Sequence, residues 1–320
     1  MHRKQLLLIT IIQFLSLLNV NAQGALCSWL SVQSAEKGRQ YLFRRTFTDS
    51  REISDAYVTV ASNGPFRLFI NGRVVFTSYF PDKGKGYTLD VKAFMRNDSN
   101  TVAVWYAPDI AEPKEETDVC TPMFALSISG KDVSGNRFSW VTDSSWLCAP
   151  SNALSTSEGE NEDALAYIPG WNVGALPFPM KWKHAVETDV LWLEMPSLAF
   201  SHGRSDSDIN VLKPSSFDNF DDGKTVSYNF NKPFWGTFRL TVRNAKAGER
   251  IWAGGSEYVC KGTLDEQFVG RFVLKGIRKL VVTGDETFRK SHVVKVEGIA
   301  TAVAVPQVPV RHTIPFRIFL

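Results

Sequence analysis

Apolar and polar residues alternate along most of this chain, and a period of two confines it to β-structure. In residues 66–70 (FRLFI), Phe66, Leu68 and Ile70 share one face, because successive strand side chains point to opposite sides. Asn71-Gly72 follows, the pair favoured where both central residues of a tight hairpin need positive φ. Arg73-Val74-Val75-Phe76 then reads as the returning strand. Segments 101–106, 123–129 and 138–141 add strands to the first half, and 188–195 adds a short edge. In the second half, 225–230, 237–242, 250–253, 268–274, 279–283 and 293–299 fit the same pattern, with Gly, Asn or Asp between them. Helical periodicity is scarce. Many short strands with regular turns predict an all-β chain of two β-sandwich, jelly-roll-like domains.

The first residues read as a secretory signal. Arg3 and Lys4 precede an almost wholly apolar stretch from 6 to 18, and Val20-Asn21-Ala22 has the small-residue spacing of a cleavage site. The apolar core is too short to span a bilayer comfortably. A protein that is secreted or periplasmic, with no transmembrane span, is the expectation. The expected organisation is a signal peptide at 1–22, a first sandwich at 23–195 and a linker at 196–222. A second sandwich at 223–300 and an extended tail at 301–320 complete it. A net charge of +3 with no basic stripe and no interleaved aromatics argues against nucleic acid. Cys27, Cys120, Cys148 and Cys260 allow three pairings. Cys120 with Cys148 is the favoured one, with free buried thiols as the alternative.

Residues 142–171 carry no alternation and read as a long loop, of a length that usually has a function or none at all. It holds Glu158, Glu160, Glu162 and Asp163 between Trp146 and Trp171. Glycoside hydrolysis needs two carboxyls held roughly 5 to 9.5 Å apart, and a loop sets no such separation, so no catalytic residue is assigned. Sugar binding fits better. Sugars stack C–H faces on aromatic rings and need fixed partners for their hydroxyls. Trp105, Tyr106, Trp146 and Trp171 could form the platform, with Asp109, Glu160 and Asp163 as acceptors. Against this stands a structural reading in which Trp146 and Trp171 pack over the sandwich and pin the loop. Oxygen ligands also suit calcium, although no regular calcium-loop spacing is present.

Several segments, in order, resemble the non-catalytic β-sandwich region that precedes the helical barrel of bacterial α-L-rhamnosidases. "YLFRRTF" (41–47) resembles its opening strand and "AYVTVASNGPFRLFINGRVV" (56–75) its central hairpin. "YTLDVKAFMRNDSNTVAVWY" (87–106) and "VTDSSW" (141–146) resemble its next segments, as does "GENEDA" (159–164) with Gly170-Trp171. "FWGTFRLTVRNAKAGERIWAGGSE" (234–257) resembles the second sandwich. Glu162 stands where that family tends to place an aromatic, and Asn229-Phe230-Asn231 where it tends to have Asp-Phe-Gly. The resemblance implies a galactose-binding-like first module, and some relatives bind rhamnose and calcium there. In that family the catalytic carboxylates lie in the barrel, for which 320 residues leave no room. The expectation is therefore an exported, non-catalytic carbohydrate-recognition protein for a rhamnose-containing glycan. The alternatives are a truncated or split rhamnosidase whose catalytic chain is a partner, acting on rhamnosides, or a purely structural interaction module.

Overall fold

The computed structural model describes residues 27–79, 86–108, 121–176, 178–188 and 209–301. Asp109, Cys120, the signal stretch and the tail beyond 301 lie outside the described residues. The chain is all-β, with 57% strand and no helix of seven residues or more, so the fold class read from alternation stands.

The first half contributes β1 (Trp29–Ser31), β2 (Arg39–Thr48), β3 (Ile53–Ser62), β4 (Phe66–Ile70), β5 (Arg73–Ser78), β6 (Tyr87–Asp90) and β7 (Ser99–Tyr106). β8 (Phe124–Asp132), β9 (Arg137–Val141), β10 (Leu147–Ser155), β11 (Glu160–Asp163), β12 (Lys183–His184) and β13 (Val186–Thr188) come next. The second half contributes β14 (Ile209–Leu212), β15 (Ser216–Asn219), β16 (Val226–Arg243), β17 (Arg250–Ala253), β18 (Ser256–Val259), β19 (Asp265–Val269), β20 (Lys275–Gly284) and β21 (Val293–Thr301). One sheet runs β13-β1-β8-β3-β6, with β9 beside β8. A second, much longer sheet runs β14-β21-β16-β20-β17-β18-β11-β10-β2-β7-β4-β5. β14 and β15 fall within 196–222, the stretch read as a connection, and both pair with second-half strands.

The 66–76 hairpin forms as its sequence requires. Ile70 pairs with Arg73, and Asn71 and Gly72 take φ of 53° and 79°, which only Gly and Asn adopt cheaply. Asn71 does more than turn. Its amide donates to Phe94 O and Asn100 Oδ1, and its Oδ1 accepts from Thr101 N, each at 2.9 Å. Phe66, Leu68 and Ile70 enter the first core beside Phe43, Val104, Phe124 and Trp146. The expected solvent face is buried as well. Phe69, Ala103 and Trp105 pack under residues 168–182, through Ile168, Trp171 and Trp182. A sandwich face covered by its own loop hides the polar half of the alternation.

The second core gathers Phe238, Leu240, Val242, Ile251, Phe268, Leu280 and Phe288. Here two expected strands, 225–230 and 237–242, are one. β16 runs unbroken through a register shift between Asn229 and Phe234. Its first half pairs with β15 and β20, its second with β19 and β21, so one strand carries four neighbours. The strand read at 268–274 ends at Val269 instead, because the amides of Arg271 and Phe272 turn to the Glu160 carboxylate.

Cys148 and Cys260 are free, buried thiols, and Cys27 is free and half-buried. Cys148 is thus not in the expected pairing, and its sulfur lies 3.8 Å from His184 O as a donor. Burial pushes the Cys148 thiol up to about 11 and Cys260 up to about 12. Native protein at pH 8 should therefore alkylate at neither residue, and denatured protein at both; peptide mapping by mass spectrometry after a short iodoacetamide pulse checks this.

Among the second-half carboxylates held below their ordinary range are Glu297 and Asp285. Glu297 accepts from Arg239 at 2.7 Å and lies 2.7 Å from Lys295. Burial pushes Asp285 up, but hydrogen bonds from Thr287, Arg250 and Phe288 outweigh it. A folded pKa below the unfolded one adds stability above about pH 4, lost as pH falls through the folded pKa. The thermal midpoint should be flat from pH 7 to about 5.5 and fall below about pH 4, less steeply in Glu297→Gln; calorimetry across that range is the check.

Candidate functional site

The acidic stretch read as a loop is two strands and a splice. β11 pairs antiparallel with β10, Ala153 facing Glu162, and parallel with β18, Glu162 facing Tyr258. It is the strand through which the first sandwich joins the sheet of the second. Alternation was present but inverted: Glu160 and Glu162 point inward while Asn161 and Asp163 are half-buried.

Two inward carboxylates need donors, and the second half supplies them. Glu160, 2% exposed, accepts from Phe272 N at 2.9 Å, from Arg271 N, and from Gln40 Nε2 at 2.7 Å. Glu162 takes both ends of the Arg271 guanidinium, at 2.7 and 2.9 Å, and Asn152 Nδ2 at 3.1 Å. Burial opposes the charge on Arg271, but Glu162 first and Glu160 after it hold the proton on. The guanidinium also lies 4.5 Å from the Trp105 ring centre, and Trp105 Nε1 donates to Gln40 at 2.7 Å. Gly270 lets this arrangement form. A Cβ there would stand 2.1 Å from Thr237 Oγ1.

Every oxygen of Glu160 and Glu162 therefore faces an N–H donor. Among the described residues no group of three or more His, Cys, Asp or Glu could hold a metal ion. Asp163 caps the short turn after β11, accepting from Leu165 N at 2.9 Å.

The aromatic residues divide. Trp146 and Tyr106 are fully enclosed in the first core. Trp146 Nε1 donates to Val141 O at 3.0 Å, and the Tyr106 hydroxyl donates to Asn63 at 2.9 Å. Trp105 and Trp171 meet edge-to-face at 5.9 Å beneath an open cavity of about 370 Å³ at the junction of the two halves. Glu162 and Arg271 line it from below; Arg67, Tyr167, Lys261 and Glu266 line its sides. Glu266 is fixed by Tyr258 Oη and three backbone amides, Lys261, Gly262 and Thr263, at 2.6–3.0 Å. Sequence reasoning missed Arg271, Tyr167, Lys261 and Glu266. One signal was available for Arg271: a lone cation inside the apolar run FVGRFVL (268–274) announces a buried partner.

Comparison places this architecture. The chain is homologous to part of an α-L-rhamnosidase of Formosa agariphila, 24% identical over 183 residues, covering 48% of this chain and 19% of that protein. Its fold is shared with part of the α-L-rhamnosidase of Dictyoglumus thermophilum (TM-score 0.73, 19% identity, 88% of this chain, 36% of the other). The Aspergillus terreus enzyme gives 0.69, with 16% identity, 87% and 36% covered. That of Streptomyces avermitilis, solved with L-rhamnose, gives 0.66, with 18% identity, 85% and 28% covered. The resemblance read from motif order stands. The chain spans about a third or less of the solved proteins it matches. No protein-family model matches it.

Breaking a buried ion pair leaves an uncompensated charge and costs about 3–5 kcal/mol. Glu162→Gln and Arg271→Met should each lower stability by about that much. The double variant should recover part of the loss, and urea unfolding of the four proteins forms the cycle that checks it.

Proposed function

We propose that this chain is a carbohydrate-recognising accessory region of the α-L-rhamnosidase type, with no catalysis of its own. The junction cavity carries the reading. Half-exposed Tyr167 offers a ring face above the buried Trp105–Trp171 pair, while Glu266, Lys261, Arg67 and Arg271 offer fixed hydrogen-bond partners. Those are the two surfaces a sugar needs. Of the residues expected from sequence to bind sugar, Trp105 and Trp171 line this cavity. Glu160 and Asp163 support it from behind through β11, and Trp146 and Tyr106 hold the first core. Homology to an α-L-rhamnosidase supports a rhamnose-containing glycan as the ligand, and the apolar N-terminal stretch supports export.

A second reading rests on coverage. The solved relatives extend well beyond the matched region. That coverage fits a chain working beside an α-L-rhamnosidase catalytic unit, which it would help to hold on its glycan. Co-purification with such a unit supports this reading.

Glycan-array binding, with and without added calcium, tests the first. A rhamnose-containing glycan should bind, and Tyr167→Ala should weaken it at least tenfold with an unchanged thermal midpoint. Absence of binding to every glycan in both conditions would leave the region purely architectural.

A further inference from the structure

The first sandwich carries a second open groove, about 600 Å³, where β2 meets the loop at Gly174–Leu176 and the start of β7. Arg44 forms its floor. On β2 Phe43 enters the core, so Arg44 faces the opposite side, with Leu42 and Thr46. Arg44 is 2% exposed. Its guanidinium donates to the carbonyls of Gly174 and Ala175, the latter at 3.4 Å, and to Thr46 Oγ1 at 3.3 Å. The Trp182 ring centre lies 5.9 Å away.

What is missing is a negative charge. Arg271 has Glu162, Arg239 has Glu297, and Arg45 has Asp143 at 2.5 Å, whereas half-buried Arg67 donates to a hydroxyl, Thr77 Oγ1. Among the described residues no carboxylate pairs with Arg44. Arginine has five donors, and among the described residues three acceptors meet them. Burying a guanidinium with only neutral acceptors is costly, and burial pulls its pKa down. Among the described residues the charged ones lining the groove are Arg44 and Arg45, and the remaining polar ones are hydroxyls, Thr46, Thr48, Ser99 and Ser145.

We infer that this groove is a binding site for an oxyanion, carboxylate or sulfate, with Arg44 as the cationic floor and the Thr48 and Ser99 hydroxyls as rim donors. Nη2 of Arg44 is taken by Gly174 O and Thr46 Oγ1, so Nε–H and the second Nη1–H are the donors left for either oxyanion. The inference rests on this groove alone and is independent of the junction cavity and its ligand. The oxyanion can arrive as a free ion or as the acidic group of a sugar, and the probes separate these.

The full chain is titrated by calorimetry at constant ionic strength with sodium sulfate, sodium glucuronate and, as neutral control, glucose. One or both anions should bind saturably and glucose should not. Tighter glucuronate assigns an acidic sugar; tighter sulfate assigns a free anion. Thr46 is exposed and already accepts from Arg44, so Thr46→Asp builds the missing carboxylate into the chain. It should weaken anion binding at least tenfold and raise the thermal midpoint in anion-free buffer. Sulfate also stabilises proteins by exclusion from their surfaces, and that general part should persist in the variant. Thr48→Asp, at a second exposed rim position, should weaken binding as well. Failure of both anions to bind saturably, or equal binding by wild type and both variants, overturns the inference and leaves Arg44 as a pin for the loop at 174–175.

Discussion

Glu160 and Glu162 on a four-residue strand hold the two halves of this molecule together. One carboxylate accepts the amides of Arg271 and Phe272, which have left β19; the other grips the Arg271 side chain with both oxygens. β11 would otherwise be a short parallel neighbour of β18, and three residue pairs of that kind add little. The charged contacts turn a weak splice into a defined junction. The geometry of Trp105, Trp171 and the cavity above them depends on it, since Arg271 stacks on Trp105 from the same anchor.

The junction has a second consequence. Carboxylates that accept from arginine, glutamine, asparagine and backbone amides on every oxygen work as structural acceptors. A related fold in α-L-rhamnosidases sits within much longer chains, and here the acidic stretch works as a joint. The joint also creates the cavity at the junction of the two halves, where Tyr167 meets fixed polar groups. The Arg44 groove differs in kind. There, among the described residues, a cation is buried with only neutral acceptors beside it.

Much of the fold was legible. Alternation at 66–76, 101–106 and 237–242 marked real strands, and Asn71-Gly72 marked a real turn, because strand period and turn dihedrals are local properties of the chain. Where the sequence misled, both faces of a strand were buried. The outer residues of β7 lie under Trp171 and Trp182, and β10 carries no polar face to reveal its period. Local pattern detects a difference between faces, and these strands have none. The register shift in β16 was read as a gap between two strands for a different reason: Asn231, Lys232 and Pro233 are exposed there and break the alternation.

By itself, the sequence determined an all-β chain, the site of its tightest hairpin, and the presence of buried aromatics sufficient for two cores. Only the tertiary structure decided what the charged residues do. Glu162 and Arg271 stand 109 positions apart, and nothing within a few residues of either names the other. A desolvated charge must be matched, but which group matches it depends on how distant strands are brought together. That is why an acidic stretch resembling a binding loop became the joint of two sandwiches, while Arg44, an ordinary residue in an ordinary strand, has no counter-charge among the described residues.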